Sequence, residues 1–484
     1  MKKEVRTRFA PSPTGFMHVG NLRTALYTYL AAKSAGGKFI LRIEDTDQKR
    51  YVEGATDVIY NTLKTTGISW DEGPDIGGNF GPYVQSERKG IYKKYAEELV
   101  EKGFAYYCFC QDTSEEDVVD ETGATVYGYN RKCRNLTLEE AKAKIESGAS
   151  YVIRQKVPLT GSTTFIDEVY GEITVQNDTL DDQVLLKSDG MPTYNFANVV
   201  DDHLMAITHV MRGREYISST PKYQLLYEAF GWEAPKNVHL SLIMGQNEDG
   251  SVSKLSKRHG STTFDKLIAD GYLQEAIVNY IALLGWSPKD EREIYTIDEL
   301  AEIFSISGIT KSNPVFDYNK LAWMNSEYIK KMEPEKFISY SKNYLSGLSK
   351  FVSDKWDFAA SLAQGRISKF TDIPALFAFL DDFSDFDVAI LENKKNKLDL
   401  AGAKAVLSEV IPQFEKLSTW NCENVNAILT EYANNHAVKL GYPMWAVRLG
   451  ATGSAVTPGG AGEMLYLLGK EETIRRLNRT LSRI

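Results

Sequence analysis

The chain has 484 residues and a formal net charge of −9, with 43% hydrophobic and 25% charged residues. That is the mix of an ordinary globular chain of several domains, about 100–200 residues each, and it excludes collagen, a coiled-coil fibre and full-length disorder. No run of about 18 uncharged apolar residues spans a membrane, four cysteines cannot build a disulfide framework, and the lysine-bearing start lacks the apolar stretch of a secretory signal, so a cytoplasmic protein is expected.

Residues 1–45 are predicted to run strand, turn, helix, strand. Val5, Thr7 and Phe9 share one face of a short strand, and Pro11, Pro13 and Gly15 then break the chain. Leu22, Ala25, Leu26, Tyr29 and Leu30 recur at i, i+3, i+4, i+7 and i+8, the apolar stripe of a helix. Gly36 and Gly37 end it as a left-handed cap would. Phe39, Ile40, Leu41 and Ile43 form the next strand. This spacing predicts a parallel βαβ unit, the seed of a doubly wound sheet. Residues from about 105 to 187 read as an insertion between two halves of that sheet, with a short helical segment and β-rich stretches at 151–156 and 171–175. Residues 193–230 return to α/β character, and from about 270 the chain reads mostly helical. Val406, Leu407, Val410, Ile411, Phe414 and Leu417 form one amphipathic stripe; Val425, Ile428, Leu429 and Tyr432 form another. Breaks are expected near 254–260, 314–323 and 381–387. Charge is uneven: residues 331–484 carry 19 basic and 18 acidic side chains, against 37 and 47 in residues 1–330. The tail is basic, with Lys470, Arg475, Arg476, Arg479 and Arg483. It reads either as a solvated helix face or as a surface for a polyanion.

Two segments carry candidate chemistry. Residues 8–21, reading RFAPSPTGFMHVGN, leave a strand and open a helix. Open α/β sheets bind ligands at the carboxyl ends of strands, and helix N-termini attract phosphate. Gly15 and Gly20 permit close backbone approach, and His18 can donate to a phosphate oxygen. Neither a Walker P-loop nor G-x-G-x-x-G occurs here, and taken alone the segment reads equally as a structural turn. Residues 254–260, reading KLSKRHG, place two lysines three apart around Ser256 in a polar loop. Such ammonium groups can stabilise charge developing on a polyphosphate; alone, the segment reads equally as a solvated loop.

Together the two segments resemble the HIGH and KMSKS signatures of class I aminoacyl-tRNA synthetases. Residues 8–15, Arg23-Thr24-Ala25-Leu26, the LRIEDTD run at 41–47, Asp71-Glu72-Gly73-Pro74, Gln85-Ser86-Glu87-Arg88, the LLKSDG run at 185–190, Pro192-Thr193-Tyr194, the ANVVDDH run at 197–203 and Phe230-Gly231-Trp232 resemble bacterial glutamyl-tRNA synthetases more closely still. The resemblance is dense to about residue 330 and thinner beyond. It implies an α/β fold: a Rossmann-type parallel sheet (residues 1–105 and 188–253) interrupted by an α+β acceptor-end domain (106–187). A loop and stem-contact segment follows (254–325), then an all-α anticodon region (326–386 and 387–484). It implies a monomeric ligase that joins L-glutamate to tRNA(Glu) with ATP and its Mg2+, touching neither membrane nor DNA. The two steps that the resemblance implies, formation of glutamyl-adenylate and transfer of glutamate to the tRNA, need no covalent protein nucleophile, which fits the lack of a Ser-His-Asp or Cys-His pattern. A form that also charges tRNA(Gln) with glutamate stays open. Glutaminyl-tRNA synthetase is disfavoured by Arg8, Arg212 and the helical C-terminal part. The shorter paralogue that glutamylates a modified tRNA base is disfavoured by the ~150 residues after Trp323. An inactive homologue is disfavoured by His18 and Lys254.

By motif position the resemblance assigns ATP and its reacting phosphate to Thr14, Gly15, His18, Gly20, Asn21, Lys254, Ser256 and Lys257, with His18, Lys254 and Lys257 catalytic. Asn21 stands where the second HIGH histidine would be and offers only a neutral hydrogen bond. Glutamate falls to Arg8, Ser12, Glu44, Tyr194, Asn198 and Arg212. Arg8 and Arg212 would grip carboxylates and reject the neutral amide, Glu44 would hold the α-ammonium, and Tyr194 would donate its hydroxyl. Cys108, Cys110, Tyr129 and Cys133 match a zinc arrangement found in some members; free buried cysteines are the competing reading. Arg366 is the candidate anticodon contact, and a basic track for tRNA is expected along residues 254–258 and the C-terminal arginines.

Overall fold

The computed structural model describes residues 4–47, 52–110, 117–119, 125–127, 129, 131–383 and 386–484. Residues 1–3 of the expected signal-free start, and 384–385 of the expected break, lie outside the described residues. The chain forms two compact units: residues 1–267 with 277–317, and residues 268–276 with 318–484. The expected break at 314–323 spans this division. Residues 254–260 lie inside the first unit and the described part of 381–387 inside the second.

The described strands of the first unit are β1 (Arg6–Phe9), β2 (Lys38–Leu41), β3 (Ala105–Cys108), β4 (Asp117–Val119), β5 (Thr125–Tyr127), β6 (Val152–Gln155) and β7 (Ser162–Asp167). They continue as β8 (Gly171–Gln176), β9 (Val184–Leu186), β10 (His209–Gly213), β11 (Lys236–Leu240), β12 (Met244–Gln246) and β13 (Val252–Lys254). The main sheet has the order β2-β1-β10-β11-β7-β8. Strands β2, β1, β10 and β11 run parallel, with Arg6↔Lys38 through Phe9↔Leu41 on one side of β1 and Thr7↔His209 on the other. From β1 the chain crosses to β2 on one side, while β10 continues to β11 on the other. The carboxyl ends of β1 and β10 therefore flank a switch point, where such sheets bind ligands.

The expected βαβ unit is present. The helix Val19–Ser34 buries Leu22, Ala25, Leu26, Tyr29 and Leu30 as the stripe requires. Gly36 takes φ +63 just after it. Gly37 is needed for a different reason: a Cβ there would lie 2.1 Å from the Val5 carbonyl oxygen. Burial of these aliphatic side chains stabilises by roughly 1.5–3 kcal/mol each.

The segment read as an insertion is less self-contained than its sequence implies. Strands β3, β6 and β9 form a separate three-stranded sheet. The β7–β8 hairpin, which holds the stretch 171–175, joins the edge of the main sheet instead, in parallel register at Asn237↔Asp167. Alternation of burial along β7, with Thr163, Phe165 and Asp167 inward, fits one face against the core.

The described elements of the second unit are helices and short helical turns. Val406, Leu407, Val410, Ile411 and Phe414 of the helix Leu400–Lys416, and Val425, Ile428, Leu429 and Tyr432 of the helix Cys422–Asn435, are all in its core. Leu417 caps the first of these and is only partly buried. Among the described residues, no helix is long and apolar enough to cross a membrane.

Candidate active site

A cavity of about 450 Å³ opens at the switch point. Its wall brings together Arg8, Ser12, Thr14, His18, Gly20, Asn21, Tyr194, Arg212 and Lys254. These residues span about 246 positions of sequence, and one backbone join accounts for much of their meeting. Val19 N–H donates to the Thr262 carbonyl at 2.9 Å, and Phe264 N–H to the Met17 carbonyl at 3.2 Å. The chain just after the lysine-rich loop is thus stitched to the first turn of the helix Val19–Ser34.

His18 caps that helix. Its Nδ1 accepts the Gly20 N–H at 3.1 Å, which puts the ring proton on Nε2 as a donor. Burial, and then the Lys254 ammonium nearby, lower its proton affinity. A neutral Nε2–H donor beside a lysine at a helix N-terminus suits an anionic phosphate oxygen. Lys254 ends β13, exposed at the cavity rim. His259, quoted in the motif but given no role, shapes the loop. Its Nδ1 accepts Ser256 N–H at 3.0 Å and its Nε2 lies 2.9 Å from Asn247 Oδ1. A Cβ at Gly245 would come within 2.5 Å of this ring, so glycine there is what lets the imidazole pack. Ser256 and Lys257 are not on the cavity wall, and Lys257 is exposed. Gly15, at φ +125, is also off the wall.

The two arginines assigned to glutamate differ. Arg8 is 4% exposed, and its Nε and Nη2 donate to the two oxygens of Asp202 at 3.1 and 3.3 Å. Burial works against the charged form of Arg8, but the Asp202 carboxylate outweighs it and raises the guanidinium's proton affinity. Arg212 is 7% exposed and has no carboxylate within 4.0 Å among the described residues. Arg8 is therefore already paired, and Arg212 presents the less compensated positive charge.

Glu44 is buried and is not on the cavity wall. Its Oε1 accepts from Arg42 at 3.0 Å and its buried Oε2 has no partner. Burial raises its proton affinity, against the pull of Arg42. An orphaned buried carboxylate oxygen is what a cationic amine would satisfy. Tyr194 lies tilted against Tyr216, with ring centroids 5.5 Å apart. Asn198 is buried and donates to the Tyr194 carbonyl at 3.0 Å, off the cavity wall.

Sequence reasoning missed the buried charge network around Arg8. Arg42 donates to Asp202 at 2.8 Å, and Arg88 to Asp201 at 2.7 Å. Asp201 also accepts from Gln85 and Tyr92 at 2.9 and 2.8 Å. Three arginines and three carboxylates (Glu44, Asp201, Asp202) balance in the interior, where an unpaired charge would be costly. The signal was present as Asp201-Asp202 in a quoted motif, but their partners are more than 100 residues away. Arg23 and Glu215 also line the cavity and were given no role.

The cysteine cluster is real in space. Cys110 Sγ lies 3.7 Å from Cys133 Sγ, and Tyr129 Oη lies 3.1 and 3.8 Å from Cys108 and Cys110 Sγ. Burial, and then Cys133, raise the Cys110 thiol to about 11.

In the second unit Arg366 is exposed, its Nη1 on the Leu362 carbonyl at 3.0 Å. Of the tail arginines expected on the tRNA track, Arg475, Arg479 and Arg483 are exposed and Arg476 is buried. Arg475 and Arg476 share Glu472 at 2.7 and 2.6 Å. Arg476 is buried and donates to the Leu380 carbonyl at 2.7 Å, Arg479 to that of Phe383 at 3.2 Å, and Arg483 to that of Phe386 at 2.7 Å. Lys470 binds the carbonyls of Glu415 and Leu417. The Glu415 and Leu417 carbonyls stand at the end of the helix Leu400–Lys416, where donors are needed, and Lys470 supplies them.

Comparison with known proteins agrees with this geometry. The profile of class I tRNA synthetases (E and Q), catalytic domain, matches residues 4–323, and an anticodon binding domain profile matches residues 315–481. A protein named glutamate–tRNA ligase from Clostridium novyi is 52% identical, covering 98% of this chain and 97% of its own. One of the same name from Lachnoclostridium phytofermentans is 50% identical over 99% of both. A crystal structure of a glutamate tRNA ligase from Elizabethkingia meningosepticum in complex with its amino acid superposes with a TM-score of 0.85, at 36% identity and 99% coverage of both chains. Cavity, helical second unit and likeness along the whole length converge, and the chain belongs to the class I tRNA synthetases of the glutamate and glutamine type.

Proposed function

We propose that this chain is an ATP-dependent glutamate–tRNA ligase, the activity named for its relatives. One observation carries the choice of glutamate: Arg212, a buried guanidinium without a carboxylate, faces the cavity that also holds His18 and Lys254. A glutamate side-chain carboxylate supplies the missing partner; the amide of glutamine does not.

In the first step an oxygen of the glutamate α-carboxylate bonds to the α-phosphorus of ATP. The bond from that phosphorus to the bridging oxygen breaks, and pyrophosphate leaves. His18 Nε2–H and the Lys254 ammonium face the oxygens on which charge develops, Thr14, Gly20 and Asn21 line the nucleotide, and Mg2+ travels with its phosphates. Gly15 gives the turn its backbone freedom. Ser256 and Lys257 belong to the same loop as Lys254 and are assigned to the phosphates by motif position. Arg212 binds the side-chain carboxylate, Glu44 Oε2 takes the α-ammonium, and Arg8, Ser12, Tyr194 and Asn198 orient the amino acid. In the second step a ribose hydroxyl of the 3′-terminal adenosine attacks the carbonyl carbon of glutamyl-adenylate, and AMP leaves.

Residues 106–187 receive the acceptor end in this reading, except that the β7–β8 hairpin is part of the catalytic sheet. Residues 326–386 and 387–484 read the anticodon, with Arg366 as a contact. The donor set of Cys108, Cys110, Cys133 and Tyr129 fits Zn2+: sulfurs 3.7 Å apart match a tetrahedron with bonds of about 2.3 Å. The ion would cross-link the two ends of this segment. Metal analysis of protein purified without chelator should find about one zinc per chain; well under one leaves these as free thiols.

The deciding experiment is aminoacylation of purified tRNA(Glu) and tRNA(Gln), each with glutamate and glutamine. Glutamate on tRNA(Glu) is the expected product. Its absence would refute the proposal, and glutamate on tRNA(Gln) as well would identify a non-discriminating enzyme.

A further inference from the structure

What holds Arg212 is neutral. Its Nε donates to His239 Nε2 at 3.4 Å and its Nη2 reaches the Thr220 hydroxyl at 3.5 Å. The rings of Tyr223 and Tyr216 lie 4.5 and 5.6 Å from its central carbon. Behind the imidazole stands a carboxylate. His239 Nδ1 lies 2.7 Å from Asp167 Oδ2, with both side chains fully buried. Backbone donors pin that carboxylate: Oδ2 also accepts the His239 N–H at 3.0 Å, and Oδ1 accepts the N–H groups of Val169 and Tyr170 at 2.9 and 2.8 Å. Asp167 is also the residue through which the recruited hairpin registers on β11.

We propose that Asp167 and His239 are positioning residues for Arg212, holding a carboxylate one imidazole away so that the guanidinium is oriented but not neutralised. The inference rests on the glutamate-ligase reading above. A carboxylate in direct contact would take two N–H groups, as Asp202 does on Arg8, and would occupy the edge the substrate needs. An imidazole cannot do that. With its Nδ1 proton on Asp167 it offers one lone pair to Arg212 Nε and nothing more. Burial lowers the proton affinity of His239, which keeps that lone pair free. The chain thereby gains a fixed arginine whose charge is left for the ligand, and with it a preference for a carboxylate over an amide.

The test uses the full-length protein with its tRNA, ATP and glutamate, reading initial rates of glutamyl-adenylate formation. His239→Glu brings a carboxylate into direct reach of Arg212. It should raise KM for glutamate by about thirtyfold or more, leave KM for ATP within about twofold, and lower the preference for glutamate over glutamine in kcat/KM by about tenfold. His239→Gln keeps a neutral acceptor and should return KM for glutamate to within about threefold of the unsubstituted protein. Asp167→Asn keeps the shape, removes the charge and should raise KM for glutamate by about fivefold at unchanged KM for ATP; it carries the test if His239→Glu does not fold. KM for glutamate unchanged in both His239→Glu and Asp167→Asn overturns the proposal. So does an equal rise in both KM values, the mark of a structural role alone. An unsubstituted protein inactive with glutamate would instead sink the ligase reading, and this inference with it.

Discussion

The cavity of the first unit and the C-terminal helix of the second both concentrate basic side chains, and they bond them in different ways. In the cavity, Arg212 and Lys254 face open space, and neither has a carboxylate within 4.0 Å among the described residues. In the helix Lys470–Leu481, Arg475 and Arg476 converge on Glu472, while Lys470, Arg476 and Arg479 donate to carbonyls of their own unit. Composition marks the tail as the cationic region and the first unit as acidic. Bonding adds to that picture: Glu472 offsets part of the tail's charge, while neutral carbonyls fix other basic side chains in place without cancelling theirs.

Substitutions can sharpen or break this contrast. Lys254→Ala should have the largest effect, slowing adenylate formation by about 10²–10³-fold; a pre-steady-state rate unchanged from the unsubstituted protein would place Lys254 outside the chemistry. Arg212→Ala should lower kcat/KM for glutamate by about 10²-fold, close to 3 kcal/mol for a lost charged bond, without moving the thermal transition by more than a few degrees. A near-normal KM for glutamate would end the carboxylate role. Arg476→Ala should do the reverse. It removes buried bonds to carbonyls and should destabilise the second unit by about 2–3 kcal/mol, read by denaturant unfolding, with KM for glutamate unchanged. The smallest effect belongs to Glu472, which Arg475 foremost, then Arg476, hold at about 2, below the usual 4.5. A carboxylate depressed in this way contributes stability in full above about pH 4.5 and loses it as pH falls towards 2. Glu472→Gln should flatten that acid limb, and an unaltered acid limb would show the pairing to be weak.

Much of this was legible in residues close together in the chain. The strand, proline-rich turn, helix and second strand of residues 1–45 follow from apolar spacing and breakers, and both helical stripes at 406–432 are buried except at Leu417, which is partly so. The candidate site is legible to the extent that its motifs are contiguous: His18 with Gly20, and Lys254 with Leu255. What escaped is long-range and carries no local signature. Nothing in the stretch 162–176 says that it pairs with a strand near residue 237, since a β edge accepts any extended partner of suitable pattern. The pairing of Arg8 with Asp202 spans 194 positions, so the residue looked available. The tail arginines bind backbone carbonyls, which every residue has and no sequence advertises.

The stitch between residues 17–19 and 262–264 has a consequence for biogenesis. A ribosome makes the His18 segment early and the Lys254 loop some 240 residues later, so an emerging chain has no complete nucleotide site until most of the first unit has been synthesised. Closing so long a loop costs only slightly more entropy than closing one half its length, about 0.6 kcal/mol, so the delay is one of timing and not of stability. A fragment released before residue 262 lacks the donor and acceptor that fasten the two segments. Such a fragment cannot bring the His18 segment and the Lys254 loop together through the bonds that join them in the whole chain.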